Sequence, residues 1–330
     1  MSVIDNNSAV HSAAAILRPA WRLSQVAEVS RIGVLLVLVV IAAIVAPSFL
    51  SLANLQVILM AVAAIGIMAF GMTLVVIAGE IDLSIAGVAI LACVMGGILI
   101  PTGSPFLIIA ATLATGLVAG LINGFLVTAF RIPSLIATLG MLGIARALAN
   151  IASGGQALYP DSIATYLWLG RGTWLGMPIP VLILLVLAGL AICLTRFSVF
   201  GRALYATGGN ARAARLSGIN VTAVRITVFM LCGFCAALAG MLDSARLSYI
   251  NPAGFEGIEL SVLAVTVLGG AALSGGKGTI TGTLIAALII GVVNNLLNQL
   301  GVSIYLQQVV TAVVILIVVL PDALQRGSGK

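Results

Sequence analysis

Charge is what this sequence has least of. Only 7% of its 330 residues are charged against 62% hydrophobic, and the mean hydropathy is +1.26. That is too little polar surface to cover a water-soluble globule of this size. Histidine is nearly absent: His11 is the single one, which argues against a His-based triad or a His-ligated metal. Cysteine is scarce as well. Cys93, Cys193, Cys232 and Cys235 all fall in apolar runs. Cys232 and Cys235 form "CGFC", on paper a redox or metal spacing, but no histidine or second cysteine pair accompanies it. Small packing residues inside a membrane helix account for it better. No cofactor and no metal are expected in this chain.

What the sequence does have is long apolar runs. A helical crossing uses about 20 apolar residues, so the length allows roughly ten crossings joined by short loops. Runs fall at 32–47, 54–78, 84–100, 106–130, 134–152, 179–195, 221–242, 258–273, 280–299 and 303–320. The expected fold is an all-α polytopic membrane protein with about ten transmembrane helices, and the length of the second run leaves room for a break. The first run begins at Ile32, too far from Met1 for a cleaved signal, so it reads as a retained membrane helix.

Basic residues stay on the cytoplasmic side and so fix the orientation. With the N-terminus inside, twelve fall inside: Arg18, Arg22, Arg31, Arg131, Arg196, Arg202, Arg212, Arg215, Arg225, Lys277, Arg326 and Lys330. Only Arg171 and Arg246 fall outside, with Arg146 inside a helix. The expected organisation is a cytoplasmic tail over 1–31, a membrane domain over 32–321 with a cytoplasmic loop at 196–220, and a cytoplasmic tail over 322–330. The net charge of +6 then orients the chain, and no nucleic-acid partner is implied. "TGLVAGLINGFL" from Thr115 can be laid over "TGTLIAALIIGVV" from Thr281 as an inverted repeat. Gly-rich apolar helices also resemble one another by composition alone, so both explanations stay open.

The most polar internal stretch is "GGNARAARLSGIN", residues 208–220. Gly208 and Gly209 break the chain, and Asn210 can then cap a short helix. An ordinary positive-inside loop would explain the arginines but not a defined helix of small residues. The longer stretch "GRALYATGGNARAARLSGINV" closely resembles the cytoplasmic loop of the membrane permeases of ribose/xylose/galactose-type ABC importers. The same likeness runs through "AGEIDLSIAG" from Ala78, "IPSLIATLGMLGIARALA" from Ile132 and the segment from Gly257 to Asn295.

The resemblance implies a permease that pairs with a second permease chain, identical or a sister. It also implies an ATP-binding subunit beneath, a periplasmic sugar-binding protein above, and a place in the bacterial inner membrane amid its lipid. Residues 208–218 would be the helix that couples to the ATPase, with Gly208, Gly209, Asn210, Arg212, Arg215, Leu216 and Gly218 as its working residues. The chain departs from the family at "GEIDLS", where the usual pattern is Gly-Gly-Ile-Asp-Leu-Ser. Asp82 or Ser84 can cap the helix that begins near Ile85. Glu80 needs hydration or a partner near hydrocarbon, and tuning of substrate choice or pairing with another subunit would each supply a reason for it.

Arg146 is a second expensive residue at membrane depth, unless it snorkels to the interface. "VVNNLLNQL" sets Asn294 four residues from Asn298, and Asn295 four from Gln299. Amides on a pore wall suit a polyhydroxylated solute, and they also join membrane helices to one another. Asn123 occupies the matching place in the first copy of the repeat. "AALSGGKGT" misses a phosphate-binding loop, having Ala271 where Gly is needed and Gly278 where Ser or Thr is needed. The chain is therefore not expected to hydrolyse ATP itself. A sugar-importer permease, with ATP hydrolysed by a partner, is the leading function. An ion-gradient-driven secondary transporter is the alternative, and a membrane-embedded enzyme lacks a catalytic cluster.

Overall fold

Water is missing from the bilayer core, so the backbone of a spanning segment must bond to itself, and apolar runs become helices. A computed structural model describes residues 20–303, with 306, 307, 309 and 313 beyond them. Its helices are α1 (Ala20–Val45), α2 (Leu52–Ile77), α3 (Ile85–Gly97), α4 (Pro105–Ala129), α5 (Ser134–Ser153), α6 (Ala164–Arg171), α7 (Ile179–Phe197), α8 (Val199–Gly209), α9 (Ala211–Leu216), α10 (Val221–Leu247), α11 (Ile258–Leu268) and α12 (Ile280–Gln299). Among the described residues eight segments are long and apolar enough to cross a membrane. They match eight of the ten expected runs. The run expected at 258–273 is the short α11, which ends at Leu268 because Gly269 and Gly270 follow, the latter at φ 90. The run at 303–320, the tail at 322–330, and His11 and Arg18 lie outside the described residues.

Two features add to the expected organisation. Helix α1 begins at Ala20 and its apolar span at Glu28, so helix occupies part of the segment assigned to a polar tail over 1–31. No proline falls between Ala20 and Val45, and the helix runs through Gly33 without interruption. The all-α description also gains a small β-hairpin, Thr173–Trp174 against Met177–Pro178. Leu175 and Gly176 both have positive φ, as the tight turn of a two-residue hairpin requires.

Hydrophobic burial does not drive helices together in lipid, so close backbone approach must. Gly116, Gly120 and Gly124 recur every four residues on one face of α4, which packs on α10. A Cβ on Gly116 would overlap the carbonyl oxygen of Gly233, and one on Gly120 that of Phe229. Gly71 of α2 also lies close against Cys232 and Cys235 of α10, where an added Cβ would stand 2.8 Å from the Cys232 Cα. The "CGFC" cysteines are free and buried in that contact, which makes them packing residues. Hydroxyl bonds add to the seams: Thr73 to Thr283 at 2.8 Å and Tyr166 to Ser244 at 2.6 Å. The two copies of the expected repeat differ in setting. Thr115 lies well inside α4 whereas Thr281 opens α12, which packs on α2 and α1.

Helix α2 ends in a turn that organises one end of the bundle. Gly79 takes φ 82 while its N–H bonds to the Val76 carbonyl and the N–H of Glu80 to that of Val75, the paired bonds of a Schellman stop. Two other turns close on it. Gly208, near the end of α8, has no room for a Cβ because the Ile77 carbonyl oxygen occupies the space. The Gly276 N–H donates to that same oxygen at 2.9 Å, and a Cβ on Gly275 would stand 2.8 Å from the Gly79 Cα. The near-miss nucleotide loop at 271–279 is thus a packing turn, and the 208–220 loop is seated on it.

Candidate functional site

From that seat the chain projects α9. Asn210 caps it, its side-chain oxygen accepting from the N–H groups of Arg212 at 3.1 Å and Ala213 at 3.0 Å, a contact worth about 1 kcal/mol. Ala214 is buried against the bundle. Gly218, at φ 83, turns the chain back towards α10. Arg212, Arg215 and Leu216 face outward, and Leu216 is 83% exposed. The residues expected to work together therefore divide. Gly208 holds the loop to its seat, Gly209 meets nothing within 4 Å, and Asn210 and Gly218 shape α9. Arg212, Arg215 and Leu216 form its free face.

Glu80 lies at the same end, and its partner is in its own chain: Arg225 of α10, Nε to carboxylate at 3.0 Å. Pairing with another subunit is not needed to account for it. The side chains are 10% and 23% exposed, and removing one member of a buried pair costs roughly 3–5 kcal/mol, less where water reaches one side. Asp82 is buried and accepts from the Ser84 N–H at 2.9 Å and its hydroxyl at 2.5 Å. Asn123 of α4 donates to the Ser84 hydroxyl at 2.8 Å. Of the two residues expected to cap α3, Asp82 takes the Ser84 N–H at the entry to the helix and Ser84 does not cap it. Ser84 sits at φ −75, ψ −9 and makes no side-chain cap bond, because from that helical backbone its hydroxyl turns back to Asp82. Burial pushes the Asp82 carboxyl above its ordinary range, against hydrogen bonds from Ser84, Cys232 and Asn123.

The other amides form a separate group. Asn295 is buried and exchanges hydrogen bonds with Asn54 at 2.8 and 3.0 Å, and Gln299 donates to it at 3.2 Å. Asn298 accepts from Gln307 at 2.8 Å, and Asn294 is half-buried nearby on α12. Asn54 stands near the start of α2, whereas Asp82 and Ser84 follow its end. A helix of 26 residues spans about 39 Å at 1.5 Å per residue. Asn123 and the α12 amides therefore do not face one another across a common stretch of path, the arrangement the repeat implied. The repeat failed to place them because its copies sit at different depths on their helices.

Sequence reasoning missed three participants. Asn54 lies in an apolar run, and the amides of Asn54 and Gln56 near its start were the available signal. Arg225 had been assigned only to orientation. Arg131 adopts φ 57, and no local residue pattern announces it. Arg146, whose partner the sequence does not name, pairs with Glu259 at 3.6 Å and so ties α5 to α11. At the opposite end of the bundle Arg246 bonds to Asp243 at 3.0 Å through Nε, and Arg171 donates to the Arg246 carbonyl at 2.7 Å.

A multi-pass helical bundle with a short polar helix seated on glycine turns at one end defines a polytopic membrane protein, and its relatives define it as a permease. The chain belongs to the family described as "Branched-chain amino acid transport system / permease component", which matches residues 54–319. It is 41% identical over 92% of its length to "Ribose import permease protein RbsC" of Escherichia coli (strain K12), covering 94% of that protein. It is also 41% identical over 87% of its length to the protein of that name in Bacillus subtilis (strain 168), covering 90% of it. With "L-arabinose ABC transporter permease protein AraH" of Azospirillum brasilense the identity is 37% over 92% of this chain and 90% of that one.

Proposed function

We propose that this chain is the membrane-spanning subunit of an ABC importer in the bacterial inner membrane, carrying a monosaccharide or a similar small polyol. Relatives named for ribose and L-arabinose support the solute class. The observation that carries the coupling role is α9 itself. An exposed leucine beside two arginines, on a helix anchored through Ala214 and Gly208, is a surface prepared for a protein partner. That partner is a separate ATP-binding subunit, and a periplasmic sugar-binding protein delivers solute at the opposite end. A second permease chain completes the path. ATP-driven closure of the ATPase pair pushes on α9, and the seat of three turns passes the displacement to α2, α8 and the 269–279 turn. This chain does no covalent chemistry and contributes two conformations that its partners bind unequally.

The amides of Asn123, Asn294, Asn295 and Asn298 and the carboxyl group of Asp82 serve the path or the joins between its helices, with Asn123, Asn295 and Asp82 buried. The energy source is tested by uptake of labelled D-ribose or L-arabinose into cells that rely on this permease. Arsenate, which depletes ATP, is expected to abolish uptake, and a protonophore applied while ATP is maintained is expected to leave most of it. The reverse pattern would identify an ion-gradient transporter and end this proposal.

A further inference from the structure

Three arginines brought from separate parts of the chain line one open cleft of about 610 Å³ at the α9 end of the bundle. Arg131 comes from the turn after α4, Arg215 from α9 and Arg225 from the first turns of α10. Positive-inside sorting explains their side of the membrane but not their convergence. Glu80 is the acid in the cleft, and Arg225 already holds it. Among the described residues neither Arg131 nor Arg215 pairs with a carboxylate. The cleft therefore keeps two uncompensated positive charges, with Thr128, Ser134 and Thr222 also on its wall; the Thr128 hydroxyl donates to the Gly124 carbonyl and that of Ser134 accepts from the Ile81 N–H.

Arg131 also holds φ 57, a left-handed conformation that costs a side-chain-bearing residue about 1 kcal/mol or more. Arg131 follows directly on the end of α4, where a left-handed residue stops the helix, and it stands on the cleft wall. Guanidinium groups match phosphate oxygens in pairs, and two of them balance a dianion.

We propose that this cleft binds a phosphate group. Its chemistry is shared by two sources, a phosphorylated sugar in solution and the headgroup of an anionic lipid. Bound there, the phosphate joins the 130–134 turn to α9 and the start of α10, so occupancy stiffens the seat of the polar helix. The binding claim does not depend on the transport reading, and its test needs no transport.

Full-length chain in phosphatidylcholine nanodiscs is titrated with ribose 5-phosphate, with ribose and inorganic phosphate as comparison probes. The wild type is expected to gain thermal stability with the phosphorylated probes and none with ribose, because a ligand of the folded state stabilises it by mass action. Arg131→Asn, which keeps a residue tolerant of positive φ, and Arg215→Gln are each expected to weaken binding at least tenfold. If the soluble probes fail but phosphatidylglycerol is retained on the purified chain and lost from both variants, the lipid headgroup is the source and the phosphate site stands. Equal binding by wild type and variants would overturn the proposal. So would binding of no phosphate from either source, including the case in which the variants lose only an ATP-binding subunit and the cleft is a protein-docking surface.

Discussion

Leu216→Asp is expected to reduce sugar uptake at least tenfold while leaving the amount of chain in the membrane unchanged. The side chain is 83% exposed, so no internal contact is lost and the fold has no reason to fail. What changes is the free face of α9. A carboxylate beside Arg212 and Arg215 would neutralise part of its charge and remove the one large apolar contact it offers. Buried apolar anchors carry most of the energy of a protein interface, commonly about 2 kcal/mol or more each, and a loss of about 1.4 kcal/mol is already tenfold in occupancy. Uptake per membrane-inserted chain, compared with Leu216→Met as a shape-conserving control, checks it. Wild-type uptake by Leu216→Asp would mean that force does not enter through this helix.

A paired substitution at the glycines is expected to give the largest contrast between neighbouring residues. Gly208→Ala places a methyl group on the Ile77 carbonyl oxygen and within 2.5 Å of the Gly276 nitrogen. Both obstacles are backbone, so neither can swing aside, and the cost is on the order of 3 kcal/mol. Gly209→Ala meets nothing within 4 Å and, as a helical Gly-to-Ala change, is expected to be neutral or mildly stabilising. Thermal aggregation of the two purified variants in mild detergent, followed by size-exclusion profile, separates them. Equal behaviour would show that the three turns do not bear on one another as described.

These two glycines also show where sequence reading stops. Asn210 was legible as the cap of a polar helix, because caps are encoded within a few residues, but the break expected at the two glycines falls at Asn210 instead, since both are helical and end α8. That Gly208 is spent on a backbone crossing depends on Ile77 and Gly276, far away in the chain, and no spacing rule reaches that far. The same limit explains Glu80. Its expense near hydrocarbon was legible from composition, but its partner Arg225 is set by how α10 lies against the end of α2. The apolar runs fixed eight spans because helix formation in lipid follows directly from hydropathy. They overestimated the 258–273 segment, where two glycines stop α11 early, and gave no sign that helix α1 reaches back to Ala20. The amides of α12 were legible as a polar stripe. Their pairing with Asn54 was not, since it joins the two ends of the sequence.

The most direct test of the coupling surface is a photocrosslinker placed at Leu216 in the intact transporter in native membranes, with another at Leu175 in the exposed hairpin at the opposite end. The crosslinked product from position 216 is expected to contain peptides of an ATP-binding subunit, and that from position 175 is expected to contain none. Crosslinks from position 216 only to lipid or to a second copy of this chain would contradict the assignment of α9 as the place where the ATPase meets the membrane domain.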